Sequence, residues 1–252
     1  GADSKKKYLL LFTREVLISL FILMFLTLPA ISQVTDYQEV FGSDWDKALA
    51  FEKGNRNWMK PALEKNHIQY DIAIAVIFPE LVRYSALRDK MEITLLKALY
   101  INLGETYANF SIGQFQMKPS FAEIIRRESP SAVGRKSDII FKQPDDFDHI
   151  SDYRKSIVTD LEDPKSEFSY LVAFFKIADK KYRINKMDER DILRFLATAY
   201  NYGINKSKEE IESMVDKKYF NTKLFKTQNY SYAEVSLFWY DNYRTAQKDR
   251  LK

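Results

Sequence analysis

The chain has 252 residues, of which 46% are hydrophobic and 29% are charged, and it contains no cysteine. This composition excludes a disordered or collagen-like chain, and the missing cysteines exclude disulfides and thiolate-held metal centres. A formal net charge of +4 is too small to indicate nucleic acid as a partner, and two histidines are too few for a three-histidine metal site. We therefore predict chemistry that uses carboxylates and hydroxyls, with no metal and no cofactor.

The start of the chain is typical of a secretory signal peptide. Three lysines precede an apolar stretch, and residues 16–28 of that stretch carry no charge. This run is shorter than the roughly 20 residues that a membrane-spanning helix needs. Small residues at Ala30 and Ser32 suit a signal peptidase. We predict that residues 1–32 are a signal peptide and that residues 33–252 are a periplasmic or secreted domain. An uncleaved segment would instead anchor the protein to a membrane.

The remaining sequence predicts helices and gives only weak strand signals. Apolar residues with helical spacing, or nearly continuous apolar sequence, mark residues 68–80, 91–103, 168–178, 189–200 and 230–243. A polar stretch over residues 129–156 predicts a long connection. Together these features predict a single all-α domain.

The first of these helices is apolar on every side from Ile72 to Phe78, which is typical of a helix in the middle of a core. Its alternating Ile and Ala could also form a buried strand, but the length and the alanines favour a helix. Pro79 frees the carbonyl of Ala75, so we predict that the helix kinks or ends near Glu80.

Glu80 is the first candidate catalytic residue. At the end of an apolar helix its carboxylate would lie partly in the core, and partial desolvation raises the pKa of a carboxyl group. The negative end of the helix dipole acts in the same direction. A carboxylic acid that stays protonated near neutral pH can protonate the leaving oxygen of a glycoside. The alternative is a solvated surface residue.

A second candidate segment is Ser111–Ala122, with the sequence SIGQFQMKPSFA. Gly113 and Pro119 enclose two glutamines, Gln114 and Gln116, whose amides can both donate to and accept from sugar hydroxyl and acetamido groups. The alternative is an ordinary glycine turn that leads into a helix beginning near Pro119.

A third candidate segment is Ala197–Gly203, with the sequence ATAYNYG. A tyrosine at the end of a helix, here Tyr200, can hydrogen-bond a catalytic carboxylate when it faces a cleft. The alternative is a core tyrosine followed by a helix C-terminus.

In this order the three segments resemble the soluble lytic transglycosylases, whose pattern is a catalytic Glu, then GLMQ-x-x-P-x-x-A, then AYN-x-G. GQFQMKPSFA, which begins at Gly113, matches the second motif at Gly, Gln, Pro and Ala. AYNYG, which begins at Ala199, matches the third at Ala, Tyr, Asn and Gly. The resemblance covers about residues 68–203. Leu81 stands where the family usually has Ser, and residues 92–103 look like an inserted helix.

The resemblance implies a lysozyme-like fold and cleavage of the MurNAc–GlcNAc β-1,4 bond of peptidoglycan, with 1,6-anhydro-MurNAc ends as product. It implies that Glu80 is first a general acid and then a general base, and that Tyr200 holds it. The residues implied to bind the glycan are Gln114, Phe115, Gln116, Tyr200 and Asn201.

Two alternatives remain at the level of sequence. Glu105 could be a second carboxylate, which would favour a hydrolytic muramidase because ordinary glycosidases use a pair of carboxyl groups. The protein could also be a non-catalytic peptidoglycan-binding or envelope scaffold. The expected partners are glycan strands and, further, envelope or secretion machinery.

Overall fold

The computed structural model describes residues 35–86, 90–108, 110–134, 138–222 and 228–249. The predicted signal peptide lies outside these residues. Contacts divide the chain into Gly1–Asp36 and Tyr37–Lys252, and the second unit carries every element described below. No helix in the described ranges is both long enough and apolar enough to cross a membrane.

The described residues are mostly helical, which confirms that part of the prediction. The helices are α1 (Tyr37–Phe41), α2 (Ser43–Lys65), α3 (Tyr70–Ala86), α4 (Lys90–Leu103), α5 (Pro119–Ala132), α6 (Ile150–Glu162), α7 (Pro164–Tyr182), α8 (Glu189–Tyr202), α9 (Lys208–Met214) and α10 (Tyr232–Asp249). Short 3-10 turns lie at Pro144–Asp146 and Ile184–Lys186, and β1 (Lys218–Phe220) pairs antiparallel with β2 (Tyr230–Ser231). This β pair was not predicted.

Helix α3 is the central element of the core. Every residue from Ile72 to Phe78 is buried, with at most 6% of its surface exposed. Helices α2, α8 and α10 pack around it, which is why no side of the helix is polar. Burial of a large aliphatic or aromatic side chain contributes about 1.5–3 kcal/mol, so this stretch is a main source of stability. The prediction of a buried helix is confirmed.

Of the two outcomes predicted near Glu80, a kink or an end of the helix, the end is wrong, because α3 continues through Pro79 to Ala86. Burial of the residues beyond Pro79 offsets the hydrogen bond that the proline removes. Leu81 and Val82 are buried there, and the Tyr232 hydroxyl donates to the neighbouring Val76 carbonyl at 2.9 Å. Glu80 is therefore fixed within a helix rather than at its end.

The domain has two halves, one built around α3 and the other around α7. Helix α7 packs against α5 and α6, and α8 contacts both α3 and α7. At this junction the Phe174 ring lies 5.9 Å from Phe121 and 5.4 Å from Tyr200. The C-terminal end of α8 is thereby fixed between the two halves.

Several helix boundaries follow from local sequence. Gly104, with φ of +92°, ends α4, and the Asp188 carboxylate accepts from the backbone N–H groups of Arg190 and Asp191 at the start of α8. The predicted connection over residues 129–156 is shorter, because α5 reaches Ala132 and α6 begins at Ile150.

Candidate functional site

A cleft of about 600 Å³ opens beside α3, the N-terminal end of α5 and the C-terminal end of α8. It brings together five of the predicted site residues: Glu80, Glu105, Gln116, Tyr200 and Asn201. Two others, Gln114 and Phe115, are not among the described residues that line it. The three sequence segments therefore meet at one place.

Glu80 is held on one wall of this cleft with only 2% of its surface exposed. Its Oε1 accepts from Asn201 Nδ2 at 2.8 Å and from Arg83 Nη1 at 3.1 Å. The other oxygen, Oε2, also lies 3.1 Å from Arg83 Nη1, yet it accepts no well-directed hydrogen bond within the described part of the chain. One carboxylate oxygen is thus buried beside Arg83 without a directed hydrogen bond from any described residue.

The pKa of Glu80 is raised above its usual value, and burial is the largest cause. The nearby Arg83, the Asn201 hydrogen bond and the positive charge of Lys118 each act in the opposite direction. The predicted direction of the pKa shift is confirmed. The main cause of this shift is burial inside the fold. The helix end, whose dipole was expected to contribute, lies six residues further along, at Ala86.

Residues 112–117 form a tight turn that borders the cleft. Ile112 and Met117 exchange two backbone hydrogen bonds of 2.9 and 3.0 Å, which close the turn at its base. Gly113 and Gln116 both adopt positive φ, at +77° and +52°. The turn precedes α5, which begins at Pro119 as the sequence predicts.

A buried carboxyl group, that of Glu167 in α7, binds the backbone of this turn. It accepts from the backbone N–H of Gln114 at 2.9 Å and of Phe115 at 3.1 Å. Burial raises the pKa of Glu167 well above its usual value, while these backbone donors lower it. Sequence reasoning missed this residue. The only signal was an acidic side chain in the first turn of an apolar helix, and such residues are usually solvated.

Gln116, which lines the cleft, has one side-chain atom that is unpaired within the described ranges. Its Nε2 donates to the Gly113 carbonyl at 3.0 Å, so the amide nitrogen is used inside the turn. Its Oε1 is buried and has no hydrogen-bond partner among the described residues. Because an unpaired buried acceptor costs about 1–3 kcal/mol, a ligand that donates a hydrogen bond here is favoured.

The predicted role of Tyr200 as the residue that holds Glu80 is wrong. Its hydroxyl donates to the Phe115 carbonyl at 2.8 Å, and the next residue, Asn201, holds the carboxylate instead. Consecutive helical residues point about 100° apart, so only one of them can face α3. The Phe115 ring is buried beside Phe168, 5.8 Å away, so this residue meets the site through its backbone.

Several charged residues of the cleft were not predicted. Arg83 pairs with Glu80 from one turn further along α3, and this i,i+3 spacing was the available signal. Lys118 and Arg127 add positive charge to the rim. Glu105, which was predicted, is exposed there and adds negative charge. The cleft wall is therefore mixed in charge, with one buried carboxylate.

Within the described ranges, no group of three or more His, Cys, Asp or Glu side chains could hold a metal ion. No family model, curated protein or solved structure matches this chain.

Proposed function

We propose that this protein is a lytic transglycosylase that cleaves peptidoglycan, with a lysozyme-like helical domain. The observation that carries the proposal is the buried Glu80 carboxyl, held by Asn201 in the wall of a cleft that Gln116 also lines. These residues come from three distant segments that match the family pattern in type and order. Their presence in one cleft is what that pattern requires.

In the proposed reaction Glu80 begins as a carboxylic acid, a state that burial supports by raising its pKa. The acid gives its proton to the glycosidic oxygen while the bond from that oxygen to the MurNAc anomeric carbon breaks. The acetamido oxygen of the same sugar attacks this carbon, and the leaving chain departs as an alcohol. The Glu80 carboxylate then takes the proton of the sugar's 6-hydroxyl, whose oxygen closes the 1,6-anhydro ring and displaces the acetamido oxygen.

The unpaired buried groups of the cleft support a sugar as ligand. Gln116 Oε1 lacks a hydrogen-bond partner in the described structure, and a sugar hydroxyl or acetamido N–H would donate to it. Glu80 Oε2 also lacks one, and in the acid form it carries the proton that the glycosidic oxygen receives, because Oε1 already accepts from Asn201 and Arg83. The exposed Tyr202 and the partly exposed Tyr219 line the same cleft and offer ring surface to a glycan.

Mass spectrometry of muropeptides released from purified sacculi tests the proposal. We expect anhydro-MurNAc ends from the unaltered protein and none from Glu80→Gln, which keeps the side-chain volume but removes the acid. Glu105→Gln is the matched control, because it changes an exposed carboxylate of the same cleft. This control should still give anhydro ends. No release from intact or peptide-stripped glycan would overturn the proposal, and binding to sacculi without release would favour a scaffold.

A hydrolytic muramidase is the second candidate, and the position of Glu105 in the same cleft favours it. A hydrolase needs two carboxyl groups, separated by about 5–5.5 Å or 6.5–9.5 Å according to the stereochemical outcome. It would release reducing ends, and both Glu80→Gln and Glu105→Gln would abolish them.

We also propose glycan strands as the partner and a periplasmic or secreted location. The location rests on residues 1–32, and an uncleaved segment would add attachment to the membrane. Cell fractionation with and without those residues tests it, because loss of export on deletion is the expected result.

A further inference from the structure

We propose that Arg83 is a positioning residue that clamps the Glu80 carboxylate and links it to the β1–β2 pair. The proposal deepens the function given above and rests on it where catalysis is concerned. Arg83 contacts both oxygens of Glu80 at 3.1 Å, although only the contact with Oε1 has hydrogen-bond geometry. Its side chain is 23% exposed, so this ion pair is shielded from water and salt much better than a surface pair.

Arg83 is itself held by the β1 side of the cleft. Its Nε donates to the Asn221 carbonyl at 3.3 Å, and its guanidinium lies 4.5 Å from the centre of the Phe220 ring. A planar guanidinium can stack on an aromatic ring while its edge donates to other groups, which a lysine cannot do. The position of Glu80 is thereby coupled to residues about 140 positions later in the chain.

The ion pair and the burial of Glu80 act in opposite directions on its protonation. Burial favours the neutral acid, whereas Arg83 favours the carboxylate. The proposed reaction needs both forms in turn, so neither influence can be too strong. Within the described ranges, the other charged or titratable groups that act on Glu80 are Lys118 before α5, Tyr200 of α8, Tyr219 of β1 and Tyr232 of α10.

Arg83 lowers the pKa of Glu80 more than any other neighbour does. Lys118 acts in the same direction but more weakly, and the three tyrosines stay neutral because their own pKa values are raised. Removal of Arg83 should therefore raise the pH at which Glu80 loses its proton. An opposite charge at this distance usually moves a carboxyl pKa by about 1–3 units, so we expect a change in the titration midpoint of at least about 1 unit.

Carbon-13 NMR of glutamate-labelled full-length protein measures this midpoint directly, with Glu80→Gln used to assign the resonance. We expect a higher midpoint in Arg83→Gln and a smaller change in Arg83→Lys, which keeps the charge. Arg127→Gln is the matched control, because it removes a positive charge from the same cleft at a side chain that is 67% exposed. An unchanged midpoint in Arg83→Gln, or an equal change in Arg127→Gln, would overturn the proposal.

A second measurement uses the unaltered protein, in case Arg83→Gln does not fold. The guanidinium N–H signals of Arg83 should lose protection from hydrogen exchange over the pH range in which Glu80 takes up its proton. No response of Arg83 in that range would also refute the clamp.

The pH profile of muropeptide release then tests whether the contact between Arg83 and Glu80 affects catalysis. The general-acid step needs protonated Glu80, so the alkaline limb should move to higher pH in Arg83→Gln. A merely structural role would lower the maximum rate and leave that limb in place. If the unaltered protein releases nothing at any pH, the proposed function fails, while the two NMR measurements still decide the role of Arg83.

Discussion

Replacement of Gly113 by alanine should destabilise the fold more than any ordinary glycine substitution. Gly113 has φ of +77°, and a Cβ at this position would lie 2.2 Å from the Leu161 carbonyl oxygen and 2.4 Å from Glu167 Oε2. Neither neighbour can give way cheaply. The first belongs to the end of α6, and the second is buried and bound to the backbone of the turn.

The magnitude follows from two contributions. A non-glycine residue in the left-handed region costs about 1–2 kcal/mol. Displacement of Glu167 leaves two buried backbone N–H groups without their acceptor, at about 1–3 kcal/mol each. We therefore expect Gly113→Ala to lower the free energy of unfolding by at least about 3 kcal/mol. For a domain of this size, each kcal/mol shifts the melting temperature by about 2–4 °C, so a loss of about 6 °C or more is expected.

Thermal unfolding followed by circular dichroism measures this effect, with Gly134→Ala as the matched control. Gly134 has φ of +82°, but no atom of the described residues lies within 4 Å of the place that its Cβ would take. Its substitution therefore carries only the backbone cost of about 1–2 kcal/mol. Equal losses in the two variants would refute the argument that the contacts with Leu161 and Glu167 add to the backbone cost. A loss in the double variant Gly113→Ala/Glu167→Ala that is smaller than the sum of the two single losses would assign part of that cost to Glu167.

Three further predictions concern residues on either side of the cleft. Tyr200→Phe leaves the Phe115 carbonyl unpaired and should cost about 1–3 kcal/mol in chemical denaturation, without moving the alkaline limb of the activity profile. Asn201→Ala removes a donor that lowers the pKa of Glu80, so the alkaline limb should move to higher pH, by less than in Arg83→Gln. Because the pKa of Glu80 is raised on folding, the native state is favoured at low pH and loses this advantage as pH rises through the folded-state pKa. Glu80→Gln should therefore gain stability relative to the unaltered protein with rising pH, by up to about 1.4 kcal/mol per pH unit in that range. A difference in unfolding free energy that does not depend on pH would contradict the raised pKa.

The sequence was most informative where a single physical requirement decided the outcome. A helix without a polar side must be buried, and residues 72–78 are buried. A glycine after an amphipathic segment ends a helix, as Gly104 does, and an aspartate before one caps it, as Asp188 does. These rules act over one or two turns, so they can be applied before any tertiary contact is known.

The sequence was least informative where distant residues decide the outcome. Pro79 is a helix breaker by local rules, yet α3 continues beyond it, where Leu81 and Val82 are buried in the core. Glu167 binds a turn about fifty residues earlier in the chain, and no local pattern indicates which N–H groups it meets. Likewise, the choice between Tyr200 and Asn201 as the partner of Glu80 depends on how α8 crosses α3.

The C-terminal end of α8 connects the two parts of the candidate site, the turn at residues 112–117 and the Glu80 carboxyl group. Tyr200 binds the turn that Glu167 supports, and Asn201 binds the carboxylate that α3 buries, each through a hydrogen bond of 2.8 Å. Because the two residues are adjacent on a rigid helix, a rotation of its last turn would strain both bonds at once. Gly203 follows with φ of +146° and ends the helix directly after them. The position of the proposed acid relative to the proposed sugar subsite is therefore set by one helix end.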